Sequence, residues 1–140
     1  AQLADIAGFY AAFGLGPAGG QPDVEDHVAT ELEFMSALAL KEAWARAEGH
    51  HERAEISRDA TEAFLSEHLG RWAPDFATAL GERSGLPYYR AVAGLLGAWV
   101  RADAAALGVD LRPLAPAPPD PTEAEPFECP VATPPGSRRM

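Results

Sequence analysis

Proline is distributed so unevenly along the 140-residue chain that it divides the sequence into two parts. Nine of the thirteen prolines fall between Pro113 and Pro135, and only four precede them. A proline inside a helix removes a backbone hydrogen bond and clashes with the preceding turn. We therefore predict a folded body over residues 1–108, followed by an extended proline-rich tail over residues 109–140.

Apolar residues of the body recur at the three- and four-residue spacing of amphipathic helices. The pattern predicts helices over residues 2–13, 23–48, 51–69, 74–82 and 87–107. Asp23 is expected to cap the long second helix, Gly70 to end the third, and Pro74 to begin the fourth. No stretch alternates polar and apolar residues as a half-buried strand does, so we predict an all-α fold, a bundle of about five helices.

Acidic residues dominate the charge of the chain, which has a formal net charge of −10 at pH 7. Nucleic acid is excluded as a partner because phosphate binding requires a clustered basic face, which this sequence lacks. No lysine or arginine precedes Lys41, although this stretch contains the acids Asp5, Asp23, Glu25, Asp26, Glu31 and Glu33. Such a region attracts cationic partners. The alternative interpretation is an acidic face that serves solubility alone.

The sequence indicates the cellular compartment of the protein, because it shows no membrane span, no signal peptide and no pair of cysteines for a disulfide. No run of apolar residues approaches the ~18 of a membrane span, and the N-terminus has no basic-then-apolar signal peptide. The single cysteine, Cys129, excludes an internal disulfide, as expected in a reducing compartment. We therefore expect a cytoplasmic protein. Because the chain opens on Ala1 within a helical pattern, we also expect its natural start to lie further upstream.

Residues with catalytic or metal-binding chemistry form no complete motif. The serines lie outside a nucleophile elbow, no phosphate-binding loop occurs, and the four histidines complete no HExxH pattern. The residues alone therefore indicate no complete catalytic site, and we predict no metal or cofactor. His27 and Glu31, four residues apart on a helix, could form an ion pair. With His68 they define an alternative, a metal-binding protein or metalloenzyme.

Most aromatic side chains, including Tyr88, Tyr89 and Trp99 of the last helix, are expected to lie in the core. Trp72 differs because it stands beside Arg71 in the predicted connector between the third and fourth helices. A tryptophan at a connector can line a groove as readily as it fills a core, so we retain Trp72 as a candidate binding residue.

Two stretches of the body resemble a known family. The stretch PDVEDHVATELEFM, residues 22–35, is similar to the signature of the redox-enzyme maturation chaperones typified by TorD, DmsD and NarJ. That signature has an acidic residue and a histidine, a short gap, and Glu-Leu-x-Phe-Met at the start of a long helix. The stretch FLSEHLGRWAPDF, residues 64–76, and then LPYY, residues 86–89, resemble the next segments of the family in the same order. The resemblance covers about residues 1–107.

The resemblance implies an all-helical, non-enzymatic chaperone. Such a protein binds the N-terminal leader, often a twin-arginine signal, of the catalytic subunit of a molybdenum-cofactor oxidoreductase, and holds the apoenzyme until cofactor is inserted. The resemblance places leader recognition on Asp26 and His27, with Glu31 as the matching helical carboxylate. A leader with paired arginines and an apolar stretch would suit an acidic helix start beside an apolar groove. Because arginine prefers bidentate carboxylate contacts, we include Glu25 among the candidate carboxylates.

The chain also departs from the family pattern. Family members commonly have further N-terminal helices that this sequence lacks, which implies either a truncated domain or a homodimer whose protomers exchange helices. The segment Glu125–Pro130 resembles the tails of chaperones that serve dehydrogenases of the dimethyl sulfoxide reductase superfamily, which is the client class we expect. An alternative to the chaperone function is a helical accessory subunit that is retained in a finished redox complex.

Overall fold

The computed structural model describes residues 2–16 and 26–115, most of which are helical. The helices are α1 (Gln2–Ala12), α2 (Val28–Ala47), α3 (His51–Phe64), α4 (Gly70–Arg83) and α5 (Pro87–Leu107). A π-helical turn over Leu65–Leu69 joins α3 to α4 without a break. No strand occurs in the described ranges, so the predicted all-α fold is confirmed. No helix there is long and apolar enough to cross a membrane.

The first and last helices begin and end close to their predicted bounds. α5 has the predicted limits, and Gly108 follows it in the left-handed conformation with φ 72°. Only glycine adopts this conformation without strain, so it ends the helix. α1 ends at Ala12, one residue earlier than predicted, and Gly14 adopts φ 72° just beyond it.

The predicted N-terminus of the long helix is wrong. Asp23 was expected to cap it, but α2 begins at Val28 and its N-cap is His27. The backbone of His27 is extended, and its Nδ1 accepts a hydrogen bond from the N–H of Ala29 at 3.1 Å. This ring nitrogen satisfies one of the helix donors that lack an intrahelical partner. Asp23 lies outside the described residues.

The predicted break between the third and fourth helices is also wrong. The N–H of Gly70 donates to the carbonyl of Leu65, five residues earlier, so the chain passes through a π turn and stays helical. Pro74 does not begin α4 but lies inside it. A Cβ at Gly70 would collide with the carbonyl oxygen of Leu65 and the side chain of Leu111. This glycine therefore permits close packing rather than ending a helix.

Aromatic rings from three helices form the centre of the core. Phe34 of α2 and Phe64 of α3 lie with their ring centroids 4.7 Å apart. From α1, Phe9 lies 5.4 Å from Phe64, and Tyr10 lies 4.9 Å from Phe34. Edge-to-face and tilted contacts at these distances contribute beyond the apolar area that they bury. These rings attach α1 to the rest of the bundle.

Small residues bring α4 and α5 close together. A Cβ placed at Gly97 would lie 3.4 Å from the Cβ of Ala77, and one at Gly81 would lie 3.7 Å from the Cβ of Ala93. Because the contacting residue numbers rise on one helix as they fall on the other, the two helices run antiparallel. The start of α4 therefore lies beside the last turns of α5.

The segment after α5 packs against the start of α4. The N–H of Leu114 donates to the carbonyl of Arg71 at 2.9 Å, and residues 109–115 contain no regular secondary structure. Residues 116–140, which include Cys129, lie outside the described residues, so the division of the chain at residue 108 stays a prediction.

Gly70→Ala is expected to lower the free energy of unfolding by about 2 kcal/mol, because the added methyl group overpacks the π turn. Gly94→Ala is the matched control, since Gly94 also lies within a helix but a Cβ there meets nothing within 4 Å. The control is expected to gain about 0.5–1 kcal/mol. Urea unfolding followed by circular dichroism measures both values. Equal stabilisation by the two substitutions would contradict the packing described for Gly70.

Candidate functional site

A buried carboxylate connects the first turns of α2 to α4. Glu31 is 0% exposed, and the indole Nε1–H of Trp72 donates to its Oε1 at 3.2 Å and its Oε2 at 3.3 Å. Burial raises the pKa of Glu31 to about 7; the bond from Trp72 lowers this pKa, and the charge of Asp26 raises it. At neutral pH this carboxyl group therefore exists in both protonation states.

The structure brings together two of the five candidate binding residues, Glu31 and Trp72. Asp26 and His27 are exposed at the start of α2, close to Glu31 in sequence. The ion pair considered between His27 and Glu31 is not formed, because His27 Nδ1 caps the helix and the carboxylate is bonded to Trp72. Glu25 lies outside the described residues.

Trp72 belongs to the first turn of α4 rather than to a connector. Its ring lies edge-on to Phe76, with centroids 5.5 Å apart, and the side chain is half-buried. The indole is thus held by an apolar contact on one side and by the Glu31 carboxylate at its polar atom.

An apolar groove of about 540 Å³ runs between α2 and α5. Its walls include Leu32, Met35 and Ala39 of α2, and Val92, Leu95 and Trp99 of α5. On each helix these residues are spaced i, i+3 and i+7, so they form one stripe. Leu95 is 71% exposed and Trp99 is 38% exposed. Contiguous exposed apolar residues of this kind mark interaction surfaces.

The expectation that the aromatic residues of the last helix lie in the core is wrong for Tyr88, Tyr89 and Trp99, all of which are exposed. Helical periodicity indicates an apolar face, but the same spacing occurs on a face that packs inside the protein and on one that binds a partner. The spacing of these residues in the sequence therefore does not separate the two cases.

The acidic start of α2 lies at one end of this groove. Since α4 and α5 are antiparallel with Ala77 opposite Gly97, Trp72 lies beside the last turns of α5. Trp72 is bonded to Glu31, so the start of α2 lies beside the same turns. The half-buried Asp103 lines the groove there, and burial raises the pKa of its carboxyl group. One end of the groove is therefore acidic.

His68, the third residue of the metal-binding alternative, lies in the aromatic core. It is 4% exposed, with its ring 5.1 Å from that of Phe64 and 5.4 Å from that of Phe9. Neither ring nitrogen has a hydrogen-bond partner, and burial lowers the pKa of His68. No group of three or more histidine, cysteine, aspartate or glutamate side chains that could hold a metal occurs within residues 2–16 and 26–115. The three suggested ligands are thus not assembled.

Known proteins resemble more than half of the chain. The family model described as nitrate reductase delta subunit matches residues 1–78. The chaperone protein TorD of Photobacterium profundum is 37% identical over 82 residues, covering 59% of this chain and 37% of that protein. Assembly chaperone proteins for chlorate reductase in Ideonella dechloratans and for selenate reductase in Thauera selenatis are each 36% identical over 78 residues, covering 56% of this chain and 39% of theirs.

The matches cover only part of the relatives and only part of the candidate site. The chain spans between 37% and 39% of the length of these curated relatives. No solved structure gives a match. The family match includes Glu31 and Trp72 and ends before α5, so it covers one wall of the groove and not the other.

Glu31→Gln is expected to remove a pH dependence of stability. The folded chain binds the Glu31 proton more tightly than the unfolded chain, whose pKa is near 4.5. This stabilisation is complete below that value and is lost as the pH rises through about 7, where the folded carboxyl group ionises. The loss is expected to approach about 3 kcal/mol. Glutamine keeps an acceptor for Trp72 and does not titrate, so its variant should not show this loss.

Urea unfolding of both proteins between pH 4.5 and pH 8 gives the difference in unfolding free energy that tests this prediction. Glu33→Gln is the control, because it makes the same chemical change at an exposed position of the same helix. The lowered pKa of His68 acts in the opposite direction and cancels in the difference. A difference that stays constant with pH would contradict the assignment to Glu31.

Proposed function

The chain belongs to the nitrate reductase delta subunit family, and from this premise we propose that it is a cytoplasmic chaperone for a molybdenum-cofactor oxidoreductase. It binds the N-terminal leader of the catalytic subunit while that subunit lacks its cofactor. The client we propose belongs to the dimethyl sulfoxide reductase superfamily. The names of similar proteins support this function, because they describe assembly chaperones of chlorate and selenate reductases. No residue is assigned a catalytic role.

The apolar groove with one acidic end is the observation that carries the proposal. Export leaders have a basic segment followed by about 7–15 apolar residues. The α5 wall of the groove, from Val92 to Leu107, is about 22 Å long at 1.5 Å per residue. A helix of about 15 residues has this length, and an apolar helix binds such a groove through residues spaced three and four apart. The basic segment then meets the acidic end.

Asp26 and His27 supply the exposed part of the proposed leader site. They lie at the first turn of α2, where the acidic side chain attracts arginine and no lysine or arginine of the same stretch competes with it. Glu25 precedes Asp26 in the sequence and belongs to the proposed site on that ground alone. The strength of these exposed contacts should fall with salt.

Glu31 and Trp72 supply the buried part of the proposed site. In the structure one indole N–H is shared by both carboxylate oxygens of Glu31. An arginine side chain presents two parallel N–H donors to a carboxylate and favours its ionised form. We propose that a leader arginine replaces the indole at Glu31 and that Trp72 moves to line the groove.

Replacing Asp26 and His27 together with asparagine is expected to weaken leader binding about fivefold, because one exposed charge pair is lost. Asparagine at position 27 retains a capping acceptor, so the helix start is preserved. Calorimetric titration with a peptide of two adjacent arginines followed by about twelve apolar residues measures the affinity. Asp59→Asn, on the exposed face of α3, removes the same charge elsewhere and should have little effect. Unchanged affinity in the double variant would contradict the assigned residues.

An accessory subunit retained in a finished redox complex is the second candidate function, and the family description favours it because it names a subunit. The two functions differ in the state of the bound catalytic subunit. A chaperone is expected to be isolated with a subunit that lacks molybdenum, whereas an accessory subunit is expected with one molybdenum per catalytic subunit. Elemental analysis of the complex purified from its native host distinguishes them.

A further inference from the structure

We propose that Asp103 selects the occupant of the groove by pairing with one basic side chain that directly flanks the occupant's apolar segment. This inference rests on the proposed function, because it takes the groove as the binding site for a basic leader. It adds a specificity-determining residue on α5, the wall that the family match does not cover.

Asp103 is the unpaired charge of the groove. It lies on the same stripe of α5 as Trp99 and Leu107, four residues before and after it. The other acidic residue in the lining, Glu42, is bonded to Arg46 at 2.7 and 2.9 Å. Asp103 has no hydrogen bond or ion pair within the described part of the chain, and no basic residue is among the groove lining there.

The environment of Asp103 suits a cation supplied by a partner. The side chain is half-buried beside apolar groups, and burial raises the pKa of its carboxyl group. An isolated carboxylate in an apolar wall disfavours an occupant that is apolar throughout, because binding would bury the charge without a partner. An occupant with a basic residue at this point would compensate the charge. A groove of this kind therefore discriminates between peptides of equal hydrophobicity.

The position of Asp103 also gives the occupant a direction. Asp103 lies one turn before Leu107, in the half of the α5 wall that is nearer the start of α2. The basic residues of the leader therefore lie at this end, and its apolar segment extends along α5 toward Val92. One arginine meets the start of α2, and the arginine next to the apolar segment meets Asp103.

A double-mutant cycle tests the pairing on the 140-residue chain. Calorimetric titrations use the peptide with two arginines and a second peptide in which the arginine next to the apolar segment is replaced by glutamine. Asp103→Asn is expected to weaken binding of the first peptide about fivefold. It is expected to strengthen binding of the second peptide, because asparagine removes a carboxylate that this peptide would bury without a partner. Asp110→Asn is the matched control, since it removes one aspartate from the exposed segment after α5, outside the groove lining. It should change neither affinity.

Four results would overturn the inference. If Asp103→Asn affects both peptides equally, or no more than Asp110→Asn does, the pairing is wrong and the proposed leader site stands. If the unmodified chain binds neither peptide, both the pairing and the leader site fail. If light scattering shows a dimer that the peptide does not dissociate, a second copy occupies the groove and the pairing also fails. Helical circular dichroism confirms that each variant is folded.

Discussion

The hydrogen bond between Trp72 and the buried carboxylate of Glu31 organises the described part of this molecule. It joins two helices whose residues are 41 positions apart and brings the acidic start of α2 to the last turns of α5. A buried carboxylate with a single neutral donor is incompletely compensated, which is why burial raises the pKa of Glu31 to about 7. The same indole N–H is shared by both oxygens of the carboxylate.

Local sequence patterns predicted which segments are helical. They did not predict the helix ends that depend on tertiary packing. The limits of α5 followed from Pro87 and Gly108, whose effects are local. Gly70 has the same local signal for a helix end. In the structure, however, the absence of a side chain at Gly70 leaves room for the carbonyl oxygen of Leu65 and the side chain of Leu111. That role depends on a contact more than forty residues away and cannot be read from neighbouring residues.

The candidate site was predictable in part for the same reason. The acidic stretch and the signature around His27 predict one end of the proposed site from sequence. The apolar stripe of α5 has the spacing of a core face, so its exposure became visible only when the positions of α2 and α5 were known. Asp103 carries no sequence motif at all. Its significance comes from being an unpaired carboxylate in an otherwise apolar wall.

The proposed function requires a basic, apolar leader to bind the groove between α2 and α5. Nuclear magnetic resonance of the chain, titrated with the peptide of two arginines and an apolar segment, tests this binding. Binding in the groove is expected to shift the signals of the methyl groups of Leu32, Val92 and Leu95 and of the indole N–H groups of Trp72 and Trp99. Shifts confined to the exposed face of α3 around Ile56, with the groove unchanged, would contradict it.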